Sequence, residues 1–591
     1  MTCRWMWAAG LAALVTSGCE GKISWPGGPG AEPSQAVDAG RREPPFSCAE
    51  DALAPELPLR RLSHVQYVES IRDLAAVLAP SDSAAVLAAL EPQLGAMPVD
   101  ARGGPDPAYG GLRRLDQAIY QRAVEGSYEV ASALGKALVA SPARLTAAAG
   151  ACATDADASN DAACLEAFIR KLGRRALRRP LSDDDVAFYR GVAGTTLERD
   201  DYADVVTVLL SAPRFLYFVE EAPEASPSGA VKLDAFALAS RLSFHFWQTI
   251  PDEALLASAE SGALLTPEGY RAQVERLFAD PRTAKALDEF FGEWLDPEYV
   301  GRLDANVGNV AFDAFRGDFT PTVETREHMH AELQRMGRFY AHDREASFAD
   351  FFTSRRSFAE HADVASLYGV PAWTAGEPPL FPSPEREGLL GRALLLATGS
   401  PSTRPIMKGV FVRKALLCDT IPVPPGDAMT VAMGVQATGF GARARAEAIS
   451  QARVDCAGCH RGLINPLGFV SEGFDALGRA RTSEKVYDKT TGALVADEPL
   501  DLTATPLVTF EDERTASSLA DLDRYMLESE KPQACFARRY FRFTFGRKED
   551  DARDGCTLSA LHELLVRGDS LSSVLRELAL RPDFSQRTFE P

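Results

Sequence analysis

The chain has 591 residues, of which 46% are hydrophobic and 25% are charged, and its net charge is −20. This length is too great for one core and predicts about four or five compact units, with the composition of an ordinary globular protein. The acidic balance disfavours nucleic acid and anionic membrane surfaces as partners.

The first residues have the pattern of an export signal. An apolar run after Arg4 has the length of a signal-peptide core, is too short to span a bilayer, and ends in Val15-Thr16-Ser17-Gly18-Cys19. Small residues before a cysteine resemble the bacterial lipobox, although Thr16 stands where leucine is usual. We expect residues 1–19 to be a signal peptide that leaves Cys19 lipidated. Ordinary cleaved export and a retained or cytosolic start are the alternatives.

The export signal predicts the location of the rest of the chain. Residues 20–47 are rich in Gly, Pro, Ala and Ser, which is typical of a flexible linker. No later apolar run reaches transmembrane length, so we expect contact with a membrane only through the lipid on Cys19. The expected location is extracytoplasmic, in the periplasm or on the outer membrane or cell surface.

Apolar residues at three- and four-residue steps dominate the rest of the chain and predict a mainly α fold with several helical domains in series. Ser63 and Ser182 are expected to cap helices. An extended run from Val486 to Leu502 predicts a hairpin among the minor β excursions. The expected units are helical domains at residues 48–140, 150–222 and 230–360, a small unit at 385–485, and a C-terminal helical domain at 515–589.

Two charged segments each allow two interpretations. The basic amphipathic helix Phe168–Leu177, which Pro180 ends, is either a docking surface or a solvated face with salt bridges. Glu324, His328 and Glu332 are four residues apart, so one helical face could present them together. That row is either a metal site or an exposed charged face.

Six cysteines are candidates for disulfides in an oxidising compartment. Cys152 and Cys164 flank a polar loop, and Cys535 and Cys556 bracket a short turn between helices, so each pair could form a local disulfide. Cys48 and Cys418 are left over and could join the start of the fold to the unit at 385–485. Other pairings stay open, because spacing alone does not decide them.

The most specific stretch is Cys456-Ala457-Gly458-Cys459-His460. Two cysteines separated by two residues, with a histidine directly after the second, are the attachment signature of a c-type haem. Each thiol would add to one vinyl group of the porphyrin, and His460 would be the proximal ligand of the iron. We therefore expect the small unit at 385–485 to be a cytochrome-c-like haem domain. The alternatives are a disulfide or redox pair, for which a preceding strand is missing, and a zinc knuckle, for which a second ligand pair is missing.

Residues after the motif suggest the surroundings of such a haem. A proximal imidazole needs an acceptor for its other N–H group, and we expect a backbone carbonyl of the Asn465–Pro466 loop to serve. Phe469 and Phe474 could flank the porphyrin or simply pack in the core. Arg479 could bind a propionate.

The sixth iron ligand decides whether small molecules reach the metal. Met429 and Met433, in a Gly-rich segment before the motif, are the candidates for a distal ligand. Met526 has the spacing of a core residue. An iron with an open sixth position would allow small-ligand chemistry, which is the basis of a third, enzymatic hypothesis.

The chain resembles the planctomycete-type multidomain proteins, in which a cytochrome-c-like segment lies among helical domains of unknown function. The stretches that carry the resemblance are spread over most of residues 58–589. They are Leu59–Leu62 with Ile71–Leu74, Arg174–Leu181, Leu238–Ser243, Cys456–His460 with Asn465–Phe469 and Phe474–Asp475, and Phe541–Arg547. The chain departs from the family at Asn465, where aspartate is more usual. The resemblance implies a mostly helical, exported protein with one haem.

These observations favour an exported, lipid-anchored protein with one covalent haem c that passes electrons to or from an extracytoplasmic partner. The sequence contains one CxxCH motif, which argues against a dihaem peroxidase because such an enzyme needs two haem irons. A carrier cytochrome needs only about a hundred residues, so most of this chain must serve another purpose. The alternative is therefore a cell-surface binding or scaffold protein that engages a polymer or a partner complex, with haem secondary or absent.

Overall fold

A computed structural model describes residues 46–49, 59–194, 196–220, 230–422, 424–435 and 441–588. The predicted signal peptide, Cys19 and nearly all of the predicted linker lie outside these residues. Helices make up most of the described chain, which confirms the mainly α prediction. None of the described helices is both long enough and apolar enough to cross a membrane.

Residues 59–220 form a first helical unit around one hydrophobic core. Ser63 caps its first helix through a reciprocal pair of hydrogen bonds with Gln66, as the sequence predicts. Two of its helices approach closely at Gly135, where a Cβ atom would lie 2.5 Å from the carbonyl oxygen of Ala203. The helices are α1 (His64–Leu78), α2 (Ser83–Ala96), α3 (Gln121–Val139), α4 (Pro142–Ala149), α5 (Asp161–Ala176), α6 (Asp183–Arg190), α7 (Arg199–Leu210) and α8 (Pro213–Leu216).

Residues 230–588 form a second unit around a larger core. Its first half contains α9 (Ala235–Phe246), α10 (Glu253–Glu260), α11 (Pro267–Ala279), α12 (Thr283–Trp294), α13 (Val310–Arg316), α14 (Thr325–Arg338), α15 (Phe348–Phe352), α16 (Ala362–Tyr368) and α17 (Ala393–Leu396). Its second half contains α18 (Pro405–Phe411), α19 (Ala428–Gly434), α20 (Ala442–Gln451), α21 (Val454–Cys459), α22 (Asn465–Phe469), α23 (Leu519–Glu528), α24 (Lys531–Phe545), α25 (Gly555–Arg567), α26 (Leu571–Leu580) and α27 (Pro582–Ser585). Three π-helical turns extend α14, α18 and α21, at Phe339–Asp343, Val412–Leu416 and His460–Ile464.

Helix α9 joins the two cores. All but one of its residues are buried, and its N-cap Asp234 accepts hydrogen bonds from the backbone amides of Phe236 and Ala237. Leu242 packs in the second core, whereas Phe244 packs in the first. A helix that is buried on nearly every side has to be covered by more than one neighbour, which fits its position between the two cores.

Every sheet in the described chain is a short antiparallel pair of strands, and two of these pairs link distant segments. Strand β1 (Arg60–Arg61) pairs with β2 (Tyr217–Phe218), and β3 (Ala230–Lys232) pairs with β6 (Gln586–Thr588). The predicted hairpin is present as β4 (Ser483–Tyr487) and β5 (Leu494–Pro499), with an irregularity after Val486.

Three disulfides join the described cysteines outside the Cys456–Cys459 motif. Cys152 is bonded to Cys164, as their spacing suggests. The proposed Cys535–Cys556 and Cys48–Cys418 pairs are wrong. Cys535 is bonded to Cys418, because α24 directs it toward the π-helical turn at Val412–Leu416, where its Sγ lies 3.4 Å from the carbonyl oxygen of Ala415. Cys556 is bonded to Cys48, because residues 46–49 cross the start of α25.

The five predicted helical units share two cores. The predicted units at 48–140 and 150–222 pack into the first core, and those at 230–360, 385–485 and 515–589 pack into the second. Most of these helices have fewer than fifteen residues, and short helices gain stability from tertiary packing rather than from propensity. Each predicted unit therefore buries its apolar faces against neighbouring units rather than in a separate core of its own.

A buried carboxyl on α12 should make stability depend on pH. Burial, together with the nearby Glu289 carboxylate, raises the pKa of Glu293 from 4.5 to about 8. Between these values the folded state holds a proton that the unfolded state has lost, so stability falls as pH rises, by up to about 1.4 kcal/mol per pH unit. Urea unfolding at pH 6 and pH 8 should show that Glu293→Gln loses less free energy of unfolding between these two pH values than the wild type does. Glu298→Gln, at a more exposed carboxylate, is the control and should keep the full loss.

Candidate functional site

The Cys456–His460 motif lies on one continuous helical path. Cys456 and Cys459 belong to α21, and His460 begins the π-helical turn that leads directly into α22. Residues three and four apart share a helical face, so both cysteines and the histidine are presented on the same side. All three residues are half-buried. Single π turns within helices are frequent at functional sites.

The imidazole of His460 is held by a chain of hydrogen bonds. Its Nδ1 lies 3.1 Å from Oδ1 of Asn465, and Nδ2 of Asn465 donates to Oγ of Ser450 at 2.8 Å. Ser450 in turn donates to the carbonyl oxygen of Ala446 in α20, at 2.6 Å. Because an amide oxygen only accepts, Nδ1 carries the proton and Nε2 presents its lone pair. Burial lowers the pKa of His460, which favours this neutral form, and the bond to Asn465 partly offsets the shift.

This arrangement corrects one sequence prediction. The expected acceptor was a backbone carbonyl in an Asn465–Pro466 loop. The structure instead uses the Asn465 side chain, and Asn465 and Pro466 are the first two residues of α22. Proline is favoured in the first turn of a helix, where its missing N–H group costs nothing.

Apolar side chains surround the motif. Ile421, Leu463 and Ile464 form a small buried cluster against which Cys459 packs. The start of α19 is joined to the start of α21 by an ion pair between Asp427 and Arg453, at 2.7 Å. Large apolar side chains stand exposed on these helices: Met429 at 71%, Met433 at 72% and Val454 at 92%.

The donor set fits a haem c. It offers two thiols, a neutral imidazole with an Nε2 lone pair, and an apolar cluster beside Cys459. Met429 and Met433 are four residues apart on α19, so a single face of that helix presents both. Met526 is fully buried in the second core, where it serves packing.

Phe469 and Phe474 pack in the core, which is one of the two roles predicted for them, and Arg479 is held by protein groups rather than directed toward the motif. Both phenylalanines are buried in the second core, each beneath a guanidinium group. Arg479 donates to Asp475 at 2.7 Å and to the carbonyl oxygens of Phe315 and Arg316 at 3.0 and 2.8 Å. Arg479 therefore fixes the turn after α22 against α13.

The buried Arg413 is a residue that sequence reasoning missed. Its side chain is fully buried and donates to Asp419 at 2.9 Å and to the carbonyl oxygen of Leu463, just after the motif, at 2.7 Å. It also donates to the carbonyl oxygens of Pro506, Leu507 and Val508. One guanidinium group thus joins the motif segment, the Cys418 turn and a distant loop. An arginine in an amphipathic helix gives no signal of such a role.

The row Glu324, His328 and Glu332 is neither a metal site nor an exposed charged face. Glu332 is buried, pairs with Arg392 at 3.1 Å and accepts from the hydroxyl of Tyr368 at 2.6 Å. His328 bonds Asp363 at 3.0 Å and stacks on His361. Within the described ranges, no group of three or more His, Cys, Asp and Glu side chains could hold a metal ion, and this includes the zinc alternative at Cys456–His460.

Three family models match separate parts of the chain. PSD5, a protein of unknown function (DUF1595), matches residues 164–220, and PSD4, a protein of unknown function (DUF1592), matches residues 233–370. PSCyt3, a protein of unknown function (DUF1588), matches residues 386–484, which contain the Cys456–His460 motif. No curated protein and no solved structure matches the chain.

Proposed function

We propose that this chain, which belongs to the planctomycete-type multidomain proteins with a cytochrome-like module, is a c-type haem protein that passes electrons to or from an extracytoplasmic partner. The observation that carries the proposal is the hydrogen bond from His460 Nδ1 to Asn465, in a motif with two thiols. It leaves Nε2 as the metal-binding atom, which is the arrangement that a proximal histidine needs.

Each residue of the site has a defined part in this proposal. Cys456 and Cys459 would form the thioether bonds, and His460 would bind the iron through Nε2. Asn465 holds the imidazole at a fixed angle and in one tautomer. The bound haem supplies reversible one-electron chemistry at a potential set by its ligands and its burial. Met429 or Met433 is the proposed distal ligand, since α19 is tied to the motif helix through Asp427 and Arg453.

The location and the anchor belong to the same proposal. Disulfides form and persist in oxidising compartments, so the three disulfides of the described chain support an extracytoplasmic location. We propose that a lipid on Cys19 tethers the protein to the outer membrane or cell surface.

The test is maturation of the full chain in a periplasm with haem-ligation machinery. The expected product is red, has a thioether-type pyridine-haemochrome spectrum, and carries one porphyrin on the peptide that contains Cys456. A colourless product with that peptide at its bare amino-acid mass, from cells that mature a known cytochrome c, would rule the proposal out.

A second candidate function rests on the bulk of the chain. The segments matched by PSD5 and PSD4 lie outside the cytochrome-like module and build much of both cores. In this alternative the chain is a surface-binding or scaffold protein and haem is secondary. Binding of a surface polymer or partner that is unchanged by Cys456→Ala plus Cys459→Ala would favour it.

Removal of the Asn465 acceptor should loosen the axial ligand. Asn465→Ala leaves His460 Nδ1 without its acceptor, and loss of such a partner typically costs 10- to 100-fold in metal affinity. Added imidazole should therefore displace His460 from the iron at a concentration about 10- to 100-fold lower than in the wild type, as followed by the absorption spectrum. Asn465→Asp keeps an acceptor and should restore resistance to imidazole. Equal displacement in all three proteins would contradict the role of Asn465.

A further inference from the structure

Several apolar side chains stand exposed together along α3 in the first unit. Val124 and Tyr128 lie one turn apart on the outer face of this helix and are 51% and 57% exposed. Ile119, which is 64% exposed, and Tyr120 lie at its N-terminal end, and Val99 is exposed beside them. Single exposed apolar residues are normal on a protein surface, whereas a contiguous set of them is typical of an interaction site.

A shallow groove runs beside this set of side chains. Met97, Val99, Ile119 and Val124 are among the residues that line it. The volume of the groove is about 70 Å³, below the ~300–1,000 Å³ of small-ligand sites. The groove is therefore suited to a side chain of another macromolecule rather than to a separate small molecule.

Two opposite charges border the apolar side chains on α3. Arg122 and Glu125 are both exposed and are three residues apart, so they share one flank of the helix. Glu125 accepts a hydrogen bond from the Gln121 side chain at 2.7 Å. Neither Arg122 nor Glu125 forms an ion pair with a residue that the structure describes. An apolar stripe edged by one arginine and one glutamate is therefore available to a partner.

This arrangement of residues is self-complementary. Suppose that two α3 helices pack antiparallel about a twofold axis midway between Ala123 and Val124. Each residue before the axis then lies opposite the residue at the same distance after it in the other helix. Arg122 lies opposite Glu125 of the second copy, and Ile119, with the groove beside it, lies opposite Tyr128 of the second copy. A twofold contact contains each of these pairings twice.

We propose that the exposed face of α3 is a homodimer interface, with a second copy of this chain packed antiparallel on it. The two Val124 side chains meet near the centre, and Tyr128 of each copy covers Ile119 of the other. The two Arg122–Glu125 pairs set the direction and register of the helices, since charged pairs at an interface contribute specificity more than affinity. Charge complementarity favours a second copy over an anionic membrane, which would repel the exposed carboxylates of Glu125 and Glu129.

The first test is sedimentation equilibrium of the full chain, in a detergent that is matched in density to the buffer. We expect a monomer–dimer equilibrium in the micromolar range, because one helical face makes a small interface. Tyr128→Ser removes the aromatic anchor at both ends and should weaken the dimer about 10- to 100-fold. Phe188→Ser is the matched control, since Phe188 is similarly exposed but lies on α6, and it should dimerise as the wild type does.

The second test exchanges the charges. Arg122→Glu and Glu125→Arg each replace two attractive pairs by two repulsive ones, and each should weaken the dimer at least about 10-fold. The double variant restores both pairs with the opposite polarity and should regain most of the wild-type affinity. Glu166→Arg, at an exposed carboxylate on α5, changes the net charge by as much as Glu125→Arg and should leave the dimer intact.

Three outcomes would overturn the proposal. One is a wild type that stays monomeric throughout the micromolar range, including a monomer that instead binds phosphatidylcholine vesicles through Tyr128. Another is a dimer that Tyr128→Ser leaves unchanged. The third is a double charge variant as weakly associated as the two single variants. Because no residue of the Cys456–His460 motif takes part, haem-free protein gives the same test, and the result is independent of the proposed electron transfer.

Discussion

Replacement of both Cys456 and Cys459 by serine should abolish covalent haem completely. Serine hydroxyls do not add to the vinyl groups, so both thioether bonds are lost together and His460 alone has to hold the iron. Both cysteines are half-buried at the edge of the fold, and serine is close to cysteine in size. We therefore expect a folded, colourless protein from cells that produce red wild-type protein, checked by haemochrome spectrum and peptide mass.

The paired replacement Cys152→Ser and Cys164→Ser is the matched control. It also removes two cysteines, but these form a disulfide in the first unit, outside the cytochrome-like module. The control protein should stay red with its full complement of haem. Equal loss of haem in both variants would mean that general misfolding, rather than thioether chemistry, explains the colourless product.

Arg413→Leu should be among the most destabilising substitutions in the chain. Leucine is apolar enough for the site, but it leaves the carbonyl oxygens of Leu463 and three loop residues without their buried donor. It also removes one of the two cations that pair with the buried Asp419. Breaking a buried ion pair in this way costs about 3–5 kcal/mol. Urea unfolding followed by tryptophan fluorescence should show a loss of that size.

Arg461→Leu provides the comparison for Arg413. Arg461 is exposed and lies on the same π-helical turn as Leu463, so its replacement should change the free energy of unfolding by no more than about 0.5 kcal/mol. If the two variants were equally stable, the buried guanidinium group would not hold the motif segment in place.

Features that depend on neighbouring residues were predictable from the sequence. The capping box at Ser63, the β4–β5 hairpin and the close Cys152–Cys164 pair each follow from residues within about a dozen positions. The one-sided display of Cys456, Cys459 and His460 follows equally from helical periodicity. In these cases local geometry decides the outcome.

Features that depend on tertiary packing were not predictable. Glu332 has the pattern of an exposed helical face, yet Arg392, sixty positions later, pairs with it in the core. Cys535 and Cys556 lie on helices that face different neighbours, so their nearness along the chain is misleading. The local sequence around Arg479 suggests an exposed side chain, yet this side chain donates to backbone carbonyl oxygens at the end of α13. Single-sequence periodicity contains no information about such partners.

The bond between Cys48 and Cys556 has a consequence for the order in which the molecule can be completed. The two residues are 508 positions apart, so the bond cannot close until the chain has been synthesised as far as Cys556. A polypeptide that ends before Cys556 cannot form this disulfide, whatever its length. Residues 46–49 are therefore linked covalently to the second unit only after synthesis has reached the start of α25.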